Sequence, residues 1–206
     1  MTISAGNAPS IDLTPLLAPR SVAIVGASAN PGAIGGRPLA NLRRFGYTGQ
    51  IHLVSRSNEK IDGIACVRSA SDLPRDIDVA LFVIPQSSVE DVLEECIERK
   101  VRSIILFSAG FAETGPEGAR LQARIAARAR EAGIALCGPN GLGLINHRQL
   151  TPLTFGWIEP APPSDKQAVA IISQSGAVGM ALTYAAQSRG IALAYTISSG
   201  NEAALG

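Results

Sequence analysis

Residues 21–36 read Ser-Val-Ala-Ile-Val-Gly-Ala-Ser-Ala-Asn-Pro-Gly-Ala-Ile-Gly-Gly, an apolar run that passes directly into a loop of small residues. The run predicts a buried strand at Ser21–Val25, and the pattern after the loop predicts a helix at Arg37–Phe45. Such a loop lets the backbone approach a phosphate, although the spacing is not G-x-G-x-x-G and turn geometry alone is an alternative. The predicted phosphate contacts are Gly26, Ala27, Ser28, Gly32, Gly35 and Gly36.

Short β-branched runs alternate with helical patterns on both sides of this stretch, which predicts βαβ units and a parallel sheet covered on both faces. We predict an α/β fold: a Rossmann-like, doubly wound parallel sheet of five strands over residues 16–145, after an N-terminal tail at 1–15. Thr114, Pro116 and Glu117 indicate a capping box at the start of the last helix. The other predicted strands are Gln50–Val54, Val79–Ile84, Ser103–Phe107 and Ile134–Cys137, and the other predicted helices are Ser87–Lys100 and Gly115–Ala132.

The periodicity stops after Asn146, and four prolines predict an irregular connector at residues 146–166. A second βα unit follows at 167–206, with too few elements for a covered sheet, so we expect a truncated second α/β domain. Its predicted elements are a strand at Ala168–Ile172, a turn at Ser173–Gly176, a helix at Ala177–Ser188 and a strand at Ala192–Ile197.

The composition excludes several classes of protein. Charged residues make up 17% of the 206 residues, the formal net charge is +1, and aromatic residues make up 4%, whereas nucleic-acid binding favours a basic surface and stacking aromatics. The apolar runs are shorter than the roughly 18 residues of a membrane-spanning helix, and the N-terminus lacks a secretory signal. Three cysteines without a C-x-x-C pair favour reduced thiols in the cytoplasm over disulfides or a metal site.

The end of the second predicted strand narrows the choice of ligand. An NAD site places an acidic residue there for the ribose hydroxyls, whereas this chain has Ser55-Arg56-Ser57. An arginine between two hydroxyls suits a ribose phosphate, as in NADP or coenzyme A (CoA). A solvated loop arginine is the alternative.

The later strands end in loops that extend the candidate site, because ligands of open α/β sheets bind beyond the carboxyl ends of the strands. The helix N-terminus after the sixth strand also suits an anion, with a plain serine N-cap as the alternative. These loops add the candidates Val83, Ile84, Pro85, Ser108, Ala109 and Gly110, followed by Asn140, Gly141, Ser173, Gln174, Ser175 and Gly176.

Four stretches together resemble the NDP-forming acyl-CoA synthetases, which are similar to the succinyl-CoA ligase α subunit. They are Leu16–Ser28, Ser108–Gly115, Gly138–Asn140 together with Leu142–Gly143, and Ser173–Ala177. The resemblance implies a CoA-binding domain with the residues above around the ligand, followed by a flavodoxin-like domain. It further implies that Asn140–Gly143 and Ser173–Gly176 belong to the active centre, where the helix N-terminus at Ser173–Gly176 cradles a phosphohistidine.

The resemblance implies an acid-thiol ligase that makes acyl-CoA from a carboxylic acid, CoA and ATP or GTP with Mg, through an acyl phosphate and with a nucleotide-grasp domain or subunit. Neither His52 nor His147 matches the family's phosphohistidine motif, so we predict no catalytic residue in this chain. Two positions depart from the family: Ser55-Arg56-Ser57 replaces an Asn-Pro-Lys type sequence, and Gly141 replaces a cysteine. A stand-alone CoA- or nucleotide-binding regulatory module and an NADP-binding oxidoreductase domain remain alternatives.

Overall fold

The computed structural model describes residues 11–161 and 167–205, and within these ranges no helix is long and apolar enough to cross a membrane. Three short 3-10 turns lie at Ala70–Asp72, Gln86–Ser88 and Ala112–Thr114. In chain order the helices and strands are α1 (Thr14–Leu17), β1 (Ser21–Val25), α2 (Arg37–Arg44), β2 (Gln50–Val54), β3 (Lys60–Ile61), β4 (Ile64–Val67), β5 (Val79–Phe82), α3 (Val89–Glu98), β6 (Ser103–Leu106), α4 (Pro116–Glu131), β7 (Ala135–Cys137), β8 (Gly143–Asn146), β9 (Thr151–Thr154), β10 (Val169–Ser173), α5 (Gly176–Ser188) and β11 (Leu193–Ser198).

The first sheet has seven strands in the order β3-β4-β2-β1-β5-β6-β7. All neighbours are parallel except β3 and β4. Apolar side chains are buried on both faces, one core containing Phe82 and Phe111 and the other Leu42 and Leu53. The predicted doubly wound α/β fold is confirmed, because strands covered on both faces must be apolar throughout and are therefore easy to recognise in a sequence.

The prediction of five strands in this sheet is incomplete, since β3 and β4 were missed. β3 is only two residues long, and β4 is partly exposed along its length, so neither has the continuous apolar run of a central strand. The ends of the other predicted elements lie within two residues of the observed ends, which is the usual uncertainty of element boundaries.

The predicted capping box of α4 is wrong. The N-cap residue is Gly115 at φ +117°, and no side chain caps this helix. Thr114 instead donates a hydrogen bond from its hydroxyl to the carbonyl oxygen of Phe111 at 2.8 Å. The Thr114 hydroxyl is thus bonded within the preceding 3-10 turn and does not cap the helix. Pro116 can start the helix because proline has no N–H group that would need a partner.

The second sheet has the order β10-β11-β8-β9, and the predicted irregular connector is therefore wrong where it contains β9. β8 and β9 form an antiparallel hairpin, and β8 pairs with β11. Pro152 lies inside β9 opposite Ile145, a position that proline tolerates because β9 is an edge strand. Residues 162–166 of the connector lie outside the described residues.

The hairpin is held against the first sheet by a buried amide. Asn41 of α2 donates hydrogen bonds from Nδ2 to the carbonyl oxygens of Thr154 and Gly156, both at 2.8 Å. The rings of Phe107 and Phe155 pack edge to face at 5.1 Å between centroids. These contacts place the loops of the second sheet beside the carboxyl ends of the first.

Candidate functional site

A cleft of about 480 Å³ opens at the carboxyl ends of β1, β2 and β5. Three predicted loops meet here: Gly26–Ser28, Ser55–Ser57 and Val83–Pro85. Such clefts are the usual ligand sites of open α/β sheets. The remaining lining residues are Val25, Val54, Arg68, Ser69, Ala70, Ser88, Val92 and Glu95.

Gly26 is the position where these three loops touch. Its N–H group donates to the carbonyl oxygen of Val54 at 3.1 Å, and its φ is +91°. A Cβ atom at this position would collide with the carbonyl oxygen of Val83. Only glycine therefore allows the three strand ends to form one smooth wall that a pyrophosphate can approach.

Gly32, Gly35 and Gly36 do not line this cleft. The N–H group of Gly32 donates to Oδ1 of Asn30 at 2.9 Å, while Cβ atoms at Gly35 and Gly36 would collide with the carbonyl oxygens of Gly26 and Asn30. These glycines shape the loop, and Gly36 borders a neighbouring cleft of about 490 Å³. Their contact with a phosphate remains a prediction.

The cleft has a basic rim that the sequence showed only in part. Arg56 stands on it as predicted, and Arg68 at the end of β4 stands beside it. Nη1 of Arg68 donates to the carbonyl oxygen of Arg56 at 2.6 Å. Arg68 was not predicted because β4 was not predicted; the signal for it is a short apolar stretch that ends in an arginine.

The acidic residue of the cleft is Glu95 of α3. Its Oε2 accepts hydrogen bonds from the Ser69 hydroxyl at 2.6 Å and from the Ser71 N–H group at 3.1 Å. The carboxylate thus fixes the turn after β4.

Ser108, Ala109 and Gly110 lie outside the cleft but support it. The Ser108 hydroxyl donates to the carbonyl oxygen of Ile84, which lines the cleft, and the Ser108 carbonyl accepts the N–H group of Asn140 at 2.9 Å. Gly110 has φ +105°, and its N–H group donates to Oε1 of Glu113 at 2.6 Å. The loop after β6 thereby links the cleft to the loop after β7.

Glu113 connects this loop to the second sheet. Oε2 accepts a hydrogen bond from Nδ2 of Asn201. Partial burial raises the pKa of Glu113, but hydrogen bonds from Asn201, Gly110 and Phe111 outweigh that effect, so the pKa lies below its usual value. The carboxylate is therefore ionised at neutral pH and occupies the N–H groups of the Gly110 loop.

Asn140 and Gly141, in the loop after β7, lie against the end of β11 and the residues that follow it. Asn140, at φ +59°, donates from Nδ2 to Oδ1 of Asn201 at 3.3 Å. A Cβ atom at Gly141 would lie 2.6 Å from the carbonyl oxygen of Ser198. The close approach of β11 explains why a glycine, rather than a larger residue, fits here.

The predicted anion site at Ser173–Gly176 has a serine N-cap. Oγ of Ser175 accepts the N–H group of Val178 at 3.3 Å, and Gln174 donates from Nε2 to Oε2 of Glu202 at 2.8 Å. A Cβ atom at Gly176 would collide with the Leu142 side chain. The cap geometry is the alternative that the sequence left open, and phosphate binding here remains a prediction.

Residues 199–202, which the sequence analysis did not single out, join the two groups of loops. The Asn201 side chain donates a hydrogen bond to Glu113 and accepts one from Asn140. The Glu202 carboxylate accepts hydrogen bonds from the Ser199 hydroxyl at 2.8 Å and from Gln174. The N–H group of Ser199 also donates to the Ser173 carbonyl at 3.0 Å. The segment follows an apolar strand and carries polar side chains, a signal that could have marked it.

One histidine lies within a strand, and the other follows directly after one. His52 is part of β2, and burial lowers its pKa. His147 is buried, its Nε2 lies 3.0 Å from the hydroxyl of Thr196, and burial lowers its pKa to about 4. At neutral pH both rings are therefore uncharged.

The buried His147 predicts an acid-sensitive fold. Its pKa is about 4 in the folded chain, against 6.5 for an exposed ring, so the unfolded chain binds the extra proton as pH falls from 6.5 to 4. We expect the free energy of unfolding to drop by an amount on the order of 2 kcal/mol over this window, with no contribution above it. Urea unfolding at several pH values measures the slope.

The control is His147→Gln, which has no titratable ring. Its absolute stability will differ from that of the wild type, but its stability should depend less on pH between 6.5 and 4. His52, whose pKa is also lowered, accounts for a remaining slope of the same sign. An unchanged slope in His147→Gln would show that His147 does not cause the effect.

Comparison with known proteins places this geometry in a family. Residues 20–147 match the family of CoA binding domains. The chain belongs to the CoA-binding domain family. Residues 166–206 match a succinyl-CoA ligase like flavodoxin domain, and the predicted order of a CoA-binding domain followed by the start of a second domain is confirmed.

Relatives of this CoA-binding domain are acyl-CoA-forming enzymes. Trans-feruloyl-CoA synthase FCS1 of an unknown prokaryotic organism is 39% identical over 93% of the chain and 27% of its own length. The α subunit of acetate–CoA ligase [ADP-forming] I of Pyrococcus furiosus is 35% identical over 94% of the chain and 42% of its own length. The chain thus spans well under half the length of these relatives.

A solved structure supports the same assignment. The dinucleotide forming acetyl-coenzyme A synthetase 1 of Ca. Korarchaeum cryptofilum superposes with a TM-score of 0.84 at 32% identity, over 95% of this chain and 41% of that chain. The resemblance drawn from the four sequence stretches is therefore confirmed for both the fold and the family.

Proposed function

We propose that this chain binds CoA in the cleft at the ends of β1, β2 and β5, and that it is the CoA-binding part of an acid-thiol ligase. The observation that carries the proposal is the convergence of three loops on Gly26, where the absence of a side chain leaves room for a pyrophosphate beside a basic rim.

The walls of the cleft fit the parts of CoA. Val54, Ala70 and Val92 offer apolar surface for the adenine ring. The Gly26–Ser28 backbone faces the pyrophosphate, and Arg56 offers its charge to the ribose phosphate. Hydrogen bonds from Ser108 to Ile84 and from Asn140 to Ser108 show that the loops after β5, β6 and β7 are neighbours. The pantetheine arm would run along these loops toward the second sheet.

The complete reaction is an expectation drawn from the relatives. We propose that a carboxylic acid, CoA and ATP or GTP with Mg form acyl-CoA through an acyl phosphate and a phosphohistidine, and that a nucleotide-grasp domain or subunit takes part. CoA supplies the thiol that attacks the acyl phosphate. The Ser173–Gly176 turn and the Asn140 loop then belong to the active centre, where they lie on either side of residues 199–202.

Two further proposals concern the cellular location of the protein and its partners. The unpaired state of Cys66, Cys96 and Cys137 supports a cytoplasmic protein. The net charge of +1 supports the absence of a nucleic-acid partner.

Calorimetry with CoA and NADP tests the choice of ligand. We expect CoA to bind at least about tenfold more tightly than NADP, because the loop at Gly26–Gly36 lacks the dinucleotide spacing. Binding of NADP without heat from CoA would instead favour the oxidoreductase alternative. A regulatory module would be favoured if CoA binds but no acyl-CoA forms when a carboxylic acid, a nucleotide and the domains of a relative that carry the phosphohistidine are added.

A further inference from the structure

Two arginines line the same rim of the cleft because two neighbouring parallel strands end there. Arg56 follows β2 and Arg68 follows β4, and these strands pair at Val54 and Val67. The hydrogen bond from Arg68 to the Arg56 carbonyl fixes the second arginine against the loop that carries the first. Strand pairing therefore places both cations at one end of the cleft.

Little negative charge balances this pair. Within residues 11–161 and 167–205 Arg56 has no ion pair, and Arg68 approaches only the exposed Glu59, at 3.7 Å. The Glu95 carboxylate also lines the cleft, where its Oε2 accepts hydrogen bonds from Ser69 and Ser71, and among the described residues it forms no ion pair with either arginine. Two neighbouring cations with one weak partner suit an anion that carries more than one charge.

We infer that Arg68 acts together with Arg56 as a specificity-determining residue for a terminal phosphate monoester, the 3′-phosphate of CoA. The inference rests on the proposed binding of CoA in this cleft. A phosphate monoester carries about −1.5 to −2 charges at neutral pH, whereas each phosphate of the pyrophosphate bridge carries one and faces the neutral Gly26–Ser28 backbone. Two guanidinium groups match the charge of the monoester, and each offers a planar fork of N–H donors to its oxygens.

Dephospho-CoA, which lacks only the 3′-phosphate, tests this role. We expect the wild-type chain to bind CoA roughly 100-fold more tightly than dephospho-CoA, and Arg68→Gln to lose about tenfold of that preference while its affinity for dephospho-CoA stays unchanged. The Arg56→Gln/Arg68→Gln double variant should bind the two ligands equally. Arg68→Lys, which keeps the charge but loses the planar fork, should fall between wild type and Arg68→Gln.

Arg75→Gln is the matched control, because Arg75 is exposed and lies outside the cleft, and it should retain the wild-type preference. If Arg68→Gln weakens both ligands equally, Arg68 only supports the Arg56 loop and the inference is wrong. If the wild type binds both ligands equally, the inference is also wrong while the proposed CoA site stands. If the wild type binds neither ligand, the proposed function itself has failed.

Discussion

Replacement of Gly26 by alanine is expected to reduce CoA affinity by roughly 100-fold or more and to lower the free energy of unfolding by about 2 to 4 kcal/mol. The alanine Cβ would collide with the Val83 carbonyl oxygen, and φ +91° is unfavourable for any residue with a side chain. The wall formed by β1, β2 and β5 must then open at the place where the pyrophosphate is proposed to bind. Calorimetry with CoA and urea unfolding measure the two effects.

Gly63→Ala is the control for the backbone strain alone. Gly63 has a similar φ of +79°, and a Cβ atom there would have nothing within 4 Å. This variant should lose about 1 kcal/mol of stability and keep its affinity for CoA. Equal CoA affinities for folded Gly26→Ala and Gly63→Ala would contradict the proposed position of the pyrophosphate.

The second large effect concerns catalysis. We expect the 206-residue chain to bind CoA but neither to become phosphorylated nor to form acyl-CoA. His52 lies within β2, and His147 is buried beside Thr196. Neither residue matches the family motif, so we expect neither to take the role of the phosphohistidine.

Incubation with labelled ATP or GTP, with and without CoA and acetate or a larger acid, measures this directly. The positive control is the same mixture with the subunit or domains of a relative that carry the phosphohistidine. Label on His52 or His147, or thioester made by the chain alone, would show that these 206 residues hold a complete active centre and that the assignment of no catalytic residue is wrong.

The sequence predicted the elements with a strong local signal. Residues 22–25, 79–82 and 104–106 are buried on both faces, so burial alone requires apolar residues in an unbroken run. The order of the small-residue loops after these strands also indicated the family. Local pattern failed at β4, which is half exposed, and at β9, where Pro152 is tolerated only because the strand lies at an edge.

The capping of α4 shows a second limit. Thr114 and Glu117 have the spacing of a capping box, yet the Thr114 hydroxyl bonds to Phe111 and Gly115 takes the N-cap position. Two local hydrogen-bonding arrangements suit the same residues, and the choice between them depends on how the preceding 3-10 turn packs. Sequence spacing alone does not distinguish them.

The sequence by itself determined the parallel α/β core and the loops that could meet a phosphate, because both follow from apolar periodicity and residue size. Only the tertiary structure decided which of those loops share a cleft. Gly26 contacts Val83 across strands, Arg68 joins Arg56 through the pairing of β2 with β4, and Asn201 meets Glu113 from 88 residues away. Such contacts depend on strand order and register, which no local pattern encodes.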